Sequence, residues 1–244
     1  MNKGFVAIVD KNFVNLAEVF IDSLLAFSDY KIDLFGLNID IPFDRPNMIK
    51  HRLNWEDYGC PTKGKGRVAI TISKWRALMR SNFDTRCLID VDSVATRFVD
   101  SIFSHSVNNR YPVFFQHPHV KTIKGDKKER LEYMNDFFGT NVEQTCMYCH
   151  SSPSVWTLKN SSFLEDCYDT HLRLQKNNYG IGDEFVNNYV LWKNKGTCIE
   201  EIANYDRLKL DLFFTKKPTN CCFIHGEKDS IMASNILRRI KDED

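Results

Sequence analysis

The side chains most suited to chemistry in this chain are two carboxylates separated by one hydrophobic residue. Asp90 and Asp92 stand on either side of Val91, directly after the apolar run 87–89. If a strand continued through them, both carboxylates would point to the same side and could converge on one cation. Hard oxygen ligands of this kind suit Mg²⁺ or Mn²⁺, which keep coordination positions open for phosphate oxygens. The triplet therefore predicts a divalent-metal site.

The same spacing of two acids recurs at residues 242–244, in the charged C-terminal end of the chain. The spacing alone is therefore not specific, and the surrounding elements must decide what it means. Residues 4–10 and 32–39 predict strands, and the apolar face of residues 14–27 predicts a helix between them. Strands and helices continue to alternate along the chain, which predicts an α/β fold with a largely parallel sheet covered on both faces.

The remaining predicted elements follow a polar loop at residues 58–67, which contains proline and glycine. They are strands near 86–91, 112–116, 145–149, 154–158 and 220–224, and helices near 68–81, 124–138, 161–175, 183–194 and 230–240. In open α/β sheets, ligands gather at the carboxyl ends of the strands. Asp90, Asp92 and His225 all fall at such strand ends.

Length and charge limit the possible classes of function. The chain has 244 residues and a formal net charge of +1. These values fit one α/β domain and disfavour a non-specific nucleic-acid binder. The N-terminus has too short an apolar run for a signal peptide, and no stretch approaches the roughly 20 apolar residues of a transmembrane helix. We therefore expect a soluble protein of the cytoplasm.

Several segments resemble, in the same order, glycosyltransferase family 8, the glycogenin and galactosyltransferase type. The segment VAITISKWRALMRSNFDTRCLIDVDSVAT is similar to the family's helix with Thr/Ser-x-x-Lys and to its following strand, which ends in D-x-D. VAIVDKNFVNLAEVFIDSLL resembles its first strand and helix. CHSSPSVWTLKN and GIGDEFVNNYVLW resemble its Asn-Ser-Gly strand and Gly-Asp-Gln helix, and FIHGEK resembles its closing His-x-Gly-Lys segment. The resemblance implies a GT-A fold, with a Rossmann-like and mostly parallel sheet flanked by helices.

The resemblance also implies how the chain is used. Residues 1–244 would form a single domain, with a nucleotide-sugar-binding half at 1–104 and an acceptor-binding half at 105–244. The donor would be a nucleotide-diphosphate sugar, with a UDP-sugar favoured, and the acceptor a hydroxyl group of a glycan or another molecule. The nucleotide would lie at the end of the first strand and the start of the first helix, against Ala7, Val9, Asp10 and Phe13, of which Phe13 would pack on the base.

The same resemblance makes His225 the third ligand of a cation held by Asp90 and Asp92. A divalent ion there would neutralise the charge that develops on the diphosphate leaving group. A nitrogen ligand beside two carboxylates favours Mn²⁺ over Mg²⁺, which prefers oxygen ligands. Three residues would bind the diphosphate by supplying charge or a close approach of the backbone: Lys74, Lys228 and Gly226.

Asp183 and Asn188 match the family's Gly-Asp-Gln helix, and on that basis we expect them to line the donor sugar and the acceptor side. Two departures from the family pattern lie nearby. The family's Asn-Ser-Gly is here His-Ser-Ser-Pro at 150–153, and its glutamine after the aspartate is Glu184. The donor sugar and the stereochemistry therefore stay open. If the reaction inverts, the base that takes the acceptor proton is Asp183, Glu184 or His150.

Two other functions fit the same residues. The run LIDVDSVAT also resembles the opening of haloacid-dehalogenase-type phosphatases, in which Asp90 would be the phosphoryl-accepting nucleophile and Asp92 a general acid. That opening normally ends the first strand of its fold, whereas several predicted strands and helices precede it here. The other candidate is a non-catalytic module that binds nucleotide sugars, which would need the donor contacts but no turnover.

Overall fold

The computed structural model describes residues 1–59, 66–104, 111–117, 120–196, 222–226 and 228–242. Within these residues the strands are β1 Lys3–Val9, β2 Lys31–Leu37, β3 Met48–Leu53, β4 Thr85–Leu88, β5 Ser93–Ala95, β6 Val113–Gln116, β7 Cys149–Thr157 and β8 Phe223–His225. The α-helices are α1 Val14–Phe27, α2 Gly66–Arg80, α3 Asp126–Phe138, α4 Ser161–Lys176, α5 Asp183–Lys193 and α6 Ser230–Asp242. Short 3₁₀ turns lie at Trp55–Tyr58, Val99–Ser104 and Leu158–Asn160.

Six strands form one mixed sheet in the order β3-β2-β1-β4-β7-β6. The strands from β3 to β4 in this order are parallel, and β7 runs antiparallel to both β4 and β6. The side chains of β1 are almost all buried, because helices cover both faces of the sheet at this strand. The carboxyl ends of β1 and β4 meet at one edge of the sheet. The predicted α/β class, with a mostly parallel central sheet flanked by helices, is confirmed.

Two apolar layers cover the two faces of this sheet. One layer contains the buried indoles Trp75, Trp156 and Trp192, which join α2, β7 and α5. The other layer joins α1 to the opposite face through aromatic side chains such as Phe5 and Phe20. The helix predicted at residues 14–27 has those bounds in the structure, because its apolar spacing supplies one continuous buried face.

The last helix, α6, packs against the first helix, α1. Ile236 and Leu237 of α6 pack against Leu16 of α1 in a small third cluster. Before α6, β8 pairs antiparallel with β5, so that His225 lies opposite Ser93. This short ribbon brings the residues that precede α6 next to the residues that follow β4.

The chain leaves the main sheet where the two carboxylates lie. β4 ends before Asp90, so Asp90 and Asp92 lie in the turn between β4 and β5, and the predicted strand 86–91 is wrong in its last residues. The N–H of Asp90 donates to Oγ of Ser152 at 2.8 Å, and the N–H of Gly226 donates to the carbonyl of Asp92 at 2.7 Å. A turn fixed by hydrogen bonds, and not the alternation of a strand, therefore brings the carboxylates together.

Three other strand predictions differ from the structure. The sequence does not predict β3, because Met48–Leu53 is an edge strand in which only Leu53 is buried and the apolar residues do not alternate. In place of the strands predicted at 145–149 and 154–158 the structure has one strand, β7 Cys149–Thr157, and residues 145–148 precede it outside any strand. Residues 220 and 221 of the predicted strand 220–224 lie outside the described residues, and β8 covers Phe223–His225.

The two predicted halves of the domain are joined by strand pairing. β4 pairs with β7, and β5 pairs with β8. The assignment of a nucleotide half and an acceptor half stays a prediction. In the part of the chain that the structure describes, none of the helices combines the length and the apolar character that crossing a bilayer requires.

Candidate metal centre

Asp90, Asp92 and His225 lie together beyond the end of β4. One ligand atom from each of these residues lies within 4.8 Å of the other two. Nδ1 of His225 is 3.3 Å from Oδ1 of Asp92 and 2.9 Å from Oγ of Ser93. His225 reaches this position because β8 pairs with β5 directly after the turn. The structure thus brings together the three residues that the sequence predicts as metal ligands.

The chemistry of this group fits a divalent cation. Oδ1 of Asp92 is buried and accepts no hydrogen bond from the described residues, since its contact with His225 lacks hydrogen-bond geometry. Burial and the neighbouring Asp90 raise the pKa of Asp92 to about 6, and burial lowers the pKa of His225. A bound cation would pair with the buried oxygen and favour the ionised carboxylate and the neutral imidazole. The three residues are therefore suited to hold Mn²⁺ or Mg²⁺.

The ammonium group of Lys74 bridges two carboxylates from distant parts of the chain. Its Nζ atom lies 2.6 Å from Oδ1 of Asp90 and 2.8 Å from Oδ2 of Asp183. Burial alone would lower the pKa of Lys74, but Asp183 and Asp90 raise it above its ordinary value. Burial would raise the pKa of Asp183, yet Lys74 holds it below its ordinary value. Lys74 therefore holds α5 against the metal group, and its predicted contact with phosphate stays a prediction.

A second group of polar side chains adjoins the metal group. Oε2 of Glu184, the second residue of α5, is 3.7 Å from Nε2 of His150, and burial together with the charge of Glu184 raises the pKa of the neighbouring Tyr148. One ring nitrogen of His117 lies within 4.8 Å of ligand atoms from both His150 and Glu184. The rings of His150 and His225 meet edge to face with their centroids 5.3 Å apart. The two groups are therefore direct neighbours.

His117 is a member of this second group that the sequence does not predict. It follows β6, whose pairing with β7 shifts register between Phe114 and Phe115. The backbone N–H of His117 donates to the carbonyl of Tyr148 at 2.8 Å, which places its ring near His150. No local sequence pattern marks this histidine, because its neighbours in the group come from β7, from the residue directly before β7 and from α5.

The four residues predicted to contact the nucleotide separate into two kinds. Ala7 and Val9 have fully buried side chains in the apolar layer beneath α1, and their predicted contact with the nucleotide stays a prediction. Asp10 and Phe13 are partly exposed between β1 and α1. Oδ1 of Asp10 accepts a hydrogen bond from the N–H of Asn12 at 2.8 Å. Of the four side chains, those of Asp10 and Phe13 are accessible to a nucleotide.

Asn188 is fully buried, and backbone groups use its amide. Its Oδ1 accepts from the N–H of Cys149 at 2.8 Å, and its Nδ2 donates to the carbonyls of Cys149 and Glu184 at 2.8 and 2.7 Å. Both amide hydrogens are thereby committed. Asn188 fastens β7 to α5, and the sugar contact that the resemblance implies for it stays a prediction that this position does not favour.

Gly226 and Lys228 lie on the exposed side of the metal group. Gly226 has a φ of 100°, a conformation that a residue with a Cβ rarely adopts. Burial raises the pKa of Asp92, whereas the positive charges of Lys74 and Lys228 act in the opposite direction. Lys228 therefore lies near the metal group and is exposed, as a ligand of a bound diphosphate would need to be.

Solved structures of glycosyltransferases share this fold. The galactosyltransferase LgtC, in complex with donor and acceptor sugar analogues, matches 98% of this chain and 95% of its own, with a TM-score of 0.64 and 13% identity. An active-site mutant of LgtC matches 80% of this chain and 71% of its own, with a TM-score of 0.60 and 14% identity. The bifunctional glycosyltransferase WbbM, in its apo form, matches 80% of this chain and 38% of its own, with a TM-score of 0.55 and 13% identity.

Sequence comparison finds no relative, because no family model and no curated protein matches the chain. At 13% and 14% identity the structural likeness shows the fold and not the activity. The GT-A fold that the family resemblance implies is confirmed. The reaction must be argued from the chemistry of the site.

Proposed function

We propose that the protein is a metal-dependent glycosyltransferase, which moves a sugar from a nucleotide-diphosphate donor to a hydroxyl group of a glycan or another acceptor. The observation that carries this proposal is the assembly of Asp90, Asp92 and His225 at the end of β4, in a chain with the GT-A fold. Buried polar atoms normally have a partner, and Oδ1 of Asp92 has no hydrogen bond among the described residues. UDP is the favoured nucleotide because of the family resemblance.

The metal group is organised by neighbouring side chains. Asp90, Asp92 and His225 would hold Mn²⁺ in preference to Mg²⁺, because an imidazole nitrogen joins two carboxylates. When bound, the ion would supply positive charge to the diphosphate leaving group. Lys74 orients the carboxylate of Asp90, and Ser93 orients the ring of His225. These contacts support preorganised ligands, which lose less freedom when an ion binds.

The donor would lie across the carboxyl ends of β1 and β4. These strands are parallel neighbours, so their carboxyl ends lie at the same edge of the sheet, where ligands of open α/β sheets bind. Asp10 and Phe13 would contact the nucleoside beyond β1. Lys228 and the backbone of Gly226 would contact the diphosphate beside the metal group. This arrangement requires one continuous ligand from β1 to the ribbon of β5 and β8.

The sugar would face the start of α5. Asp183 accepts a hydrogen bond from Lys74 at 2.8 Å, and it is almost fully buried. The side chain of Glu184 is 24% exposed, so Glu184 is the more accessible of the two carboxylates. Among the three predicted base candidates, this favours Glu184 and His150 over Asp183.

A haloacid-dehalogenase-type phosphatase is not favoured by these contacts. In that family the triplet ends the first strand, whereas Asp90 follows β4. The carboxylate of Asp90 is also paired with Lys74. A non-catalytic module that binds nucleotide sugars would have the same metal group as a transferase. Turnover is the property that separates these two functions.

Binding and turnover can be measured on the same protein. The pure protein would be mixed with Mn²⁺ and UDP, GDP or a panel of their sugars, and its melting temperature and the release of nucleotide diphosphate would be recorded. We expect UDP with Mn²⁺ to raise the melting temperature, because a ligand of the folded state stabilises it. EDTA should remove this effect, and at least one UDP-sugar should release UDP.

Two outcomes would contradict the proposal in different ways. Hydrolysis of p-nitrophenyl phosphate without binding of any nucleotide diphosphate would indicate a phosphatase. Binding of UDP with Mn²⁺ without release of UDP from any UDP-sugar would indicate the non-catalytic module.

A further inference from the structure

Glu184 lies at the centre of the second polar group, whose other members are His117, Tyr148 and His150. Oε2 of its carboxylate lies 3.7 Å from Nε2 of His150, and the charge of Glu184 acts, after burial, to raise the pKa of Tyr148. One ring nitrogen of His117 lies within 4.8 Å of ligand atoms from both Glu184 and His150. The side chains of Glu184 and His150 are 24% and 16% exposed. The group is therefore partly open to a ligand.

Hydrogen bonds determine which nitrogens of the two histidines carry hydrogen. Nδ1 of His117 accepts from the N–H of Val120 at 3.0 Å, so the hydrogen of the neutral ring is on Nε2. Nδ1 of His150 accepts from the N–H of Ser152 at 3.2 Å, so the hydrogen of this neutral ring is also on Nε2. Glu184 thus has the N–H groups of two imidazoles as neighbours.

This polarity suits a hydroxyl group better than a cation. A cation would be repelled by the N–H of His117, whose other nitrogen already accepts from Val120. One oxygen atom can lie about 2.8 Å from both Oε2 of Glu184 and Nε2 of His150, since these atoms are 3.7 Å apart. A hydroxyl in that position can donate its hydrogen to Glu184 and accept one from the Nε2–H of His150.

The second polar group lies beside the metal group, where an acceptor hydroxyl would react. His150 contacts the ring of His225, and Glu184 follows Asp183, which Lys74 links to the metal group. Where the resembling family has glutamine, this chain has Glu184. A carboxylate can take a proton, whereas an amide cannot.

We propose that Glu184 accepts the proton of the acceptor hydroxyl, and that His117 and Tyr148 are positioning residues for its carboxylate. The acceptor oxygen forms a bond to the anomeric carbon, and the bond from that carbon to the diphosphate breaks with its electron pair left on the diphosphate. The hydroxyl proton passes to Glu184. The assignment rests on the proposed function, because it places this base beside the same metal group.

The test uses the full chain with Mn²⁺ and water as the acceptor. It measures the affinity for UDP by calorimetry and the rate of UDP release from UDP-glucose and UDP-galactose. Glu184→Gln keeps the size of the side chain but cannot take a proton. We expect kcat to fall by about a hundredfold or more, the effect of losing a general base. A kcat within about threefold of the wild type, at equal affinity for UDP, would overturn the proposal.

Two variants of His117 separate its effect on Glu184 from its hydrogen bond with the backbone of Val120. His117→Asn keeps an acceptor for the N–H of Val120 and loses the donor at Nε2, whereas His117→Gln keeps a donor near Nε2 and loses that acceptor. We expect His117→Asn to lower kcat about tenfold with unchanged KM, and His117→Gln to stay within about threefold of the wild type. The reverse order would show a purely structural role for His117.

The remaining outcomes separate this proposal from the proposed function. A wild type that binds no UDP in Mn²⁺ would refute the proposed function itself. A wild type that binds UDP and releases none from any UDP-sugar would indicate the non-catalytic module and would overturn the assignment of a base together with the proposed function. A second Mn²⁺ per chain that disappears in Glu184→Gln would make the group a metal site. If Glu184→Gln binds the UDP-sugar more weakly than it binds UDP, Glu184 contacts a hydroxyl of the donor sugar. Either this result or the loss of a second Mn²⁺ would overturn the proposal.

Discussion

Lys74 donates a 2.8 Å hydrogen bond to Asp183, although 109 positions of the chain separate the two residues. Both side chains are buried, and the same ammonium group lies 2.6 Å from Asp90. One cation therefore joins α2, the turn after β4 and the start of α5. Two carboxylates beside each other repel, so the arrangement of the site depends on this lysine.

Replacing Lys74 should destabilise the fold as well as the site. Lys74→Met leaves the buried Asp183 without its cation, and breaking a buried pair in this way costs about 3–5 kcal/mol. Chemical denaturation would measure this loss in the free energy of unfolding. Lys128→Met is the control, because Lys128 lies in an exposed pair with Glu132 at 3.8 Å. A loss as small as that of the control would show that Lys74 is not essential to the fold.

Asp92→Asn should abolish Mn²⁺-dependent binding of UDP while the protein stays folded. The amide removes a buried charge that has no hydrogen bond among the described residues at Oδ1, so the metal-free fold should tolerate it. Calorimetry with UDP in Mn²⁺ would measure binding, and circular dichroism would confirm folding. Asp242→Asn is the matched control, because Asp242 belongs to the same spacing of acids at the end of α6. Full Mn²⁺-dependent binding by Asp92→Asn would exclude Asp92 as a ligand.

Asn188→Ala should act on stability, because the amide of Asn188 pairs with backbone groups of β7 and α5. Its removal leaves buried backbone groups unpaired, which costs on the order of 3 kcal/mol. Asn177→Ala removes a comparable bond to the carbonyl of Arg173 at an exposed site and should cost much less. The free energy of unfolding would be measured for both variants. If Asn188→Ala keeps its stability and loses donor affinity instead, the sugar contact implied by the resemblance is correct.

Stability should fall in mild acid because His171 is buried in its neutral form. Nε1 of Trp75 donates to Nδ1 of His171 at 3.1 Å, and Nε2 donates to the carbonyl of Ile181 at 3.0 Å. Burial lowers the pKa of His171 from 6.5 to about 4. The unfolded chain therefore takes up this proton at a higher pH than the folded protein does. Stability is fully present above pH 6.5 and decreases by roughly 3 kcal/mol as the pH falls to about 4.

His171→Gln removes this titration and keeps a donor near Ile181. The free energy of unfolding of both proteins would be measured from pH 7 to pH 4. The variant is expected to be less stable at pH 7 and to show a shallower dependence on pH. Parallel curves for the two proteins would mean that His171 does not titrate on unfolding.

Elements with a strong local pattern could be predicted from the sequence. The apolar spacing of α1 predicts its bounds, and the run before Asp90 predicts a buried strand. The edge strand β3 could not be predicted, because half-exposed polar residues carry no periodic signal. The end of β4 was also misplaced, because the turn depends on Ser152 and Gly226, which lie far along the chain.

In the candidate site, too, some features could be predicted from the sequence and others depend on contacts between distant residues. The D-x-D triplet is visible from its residue types and spacing, and the resemblance of the ordered segments to family 8 implies His225 as its partner. Their arrangement around a buried oxygen depends on the pairing of β5 with β8. The sequence predicts that Lys74 contacts phosphate, whereas in the structure its ammonium group is paired with two carboxylates. Only the packing of distant segments shows which charges surround this group.

The sequence by itself determined the α/β class, the order of most elements and the two carboxylate ligand candidates, because these follow from local periodicity and residue chemistry, and its resemblance to family 8 added His225 as a third. The tertiary structure alone decided which side chains share a site. His117 lies beside Glu184 and His150, and the side chains of Ala7, Val9 and Asn188 are fully buried. Burial and hydrogen-bond partners arise from contacts between distant segments, and no local pattern encodes them.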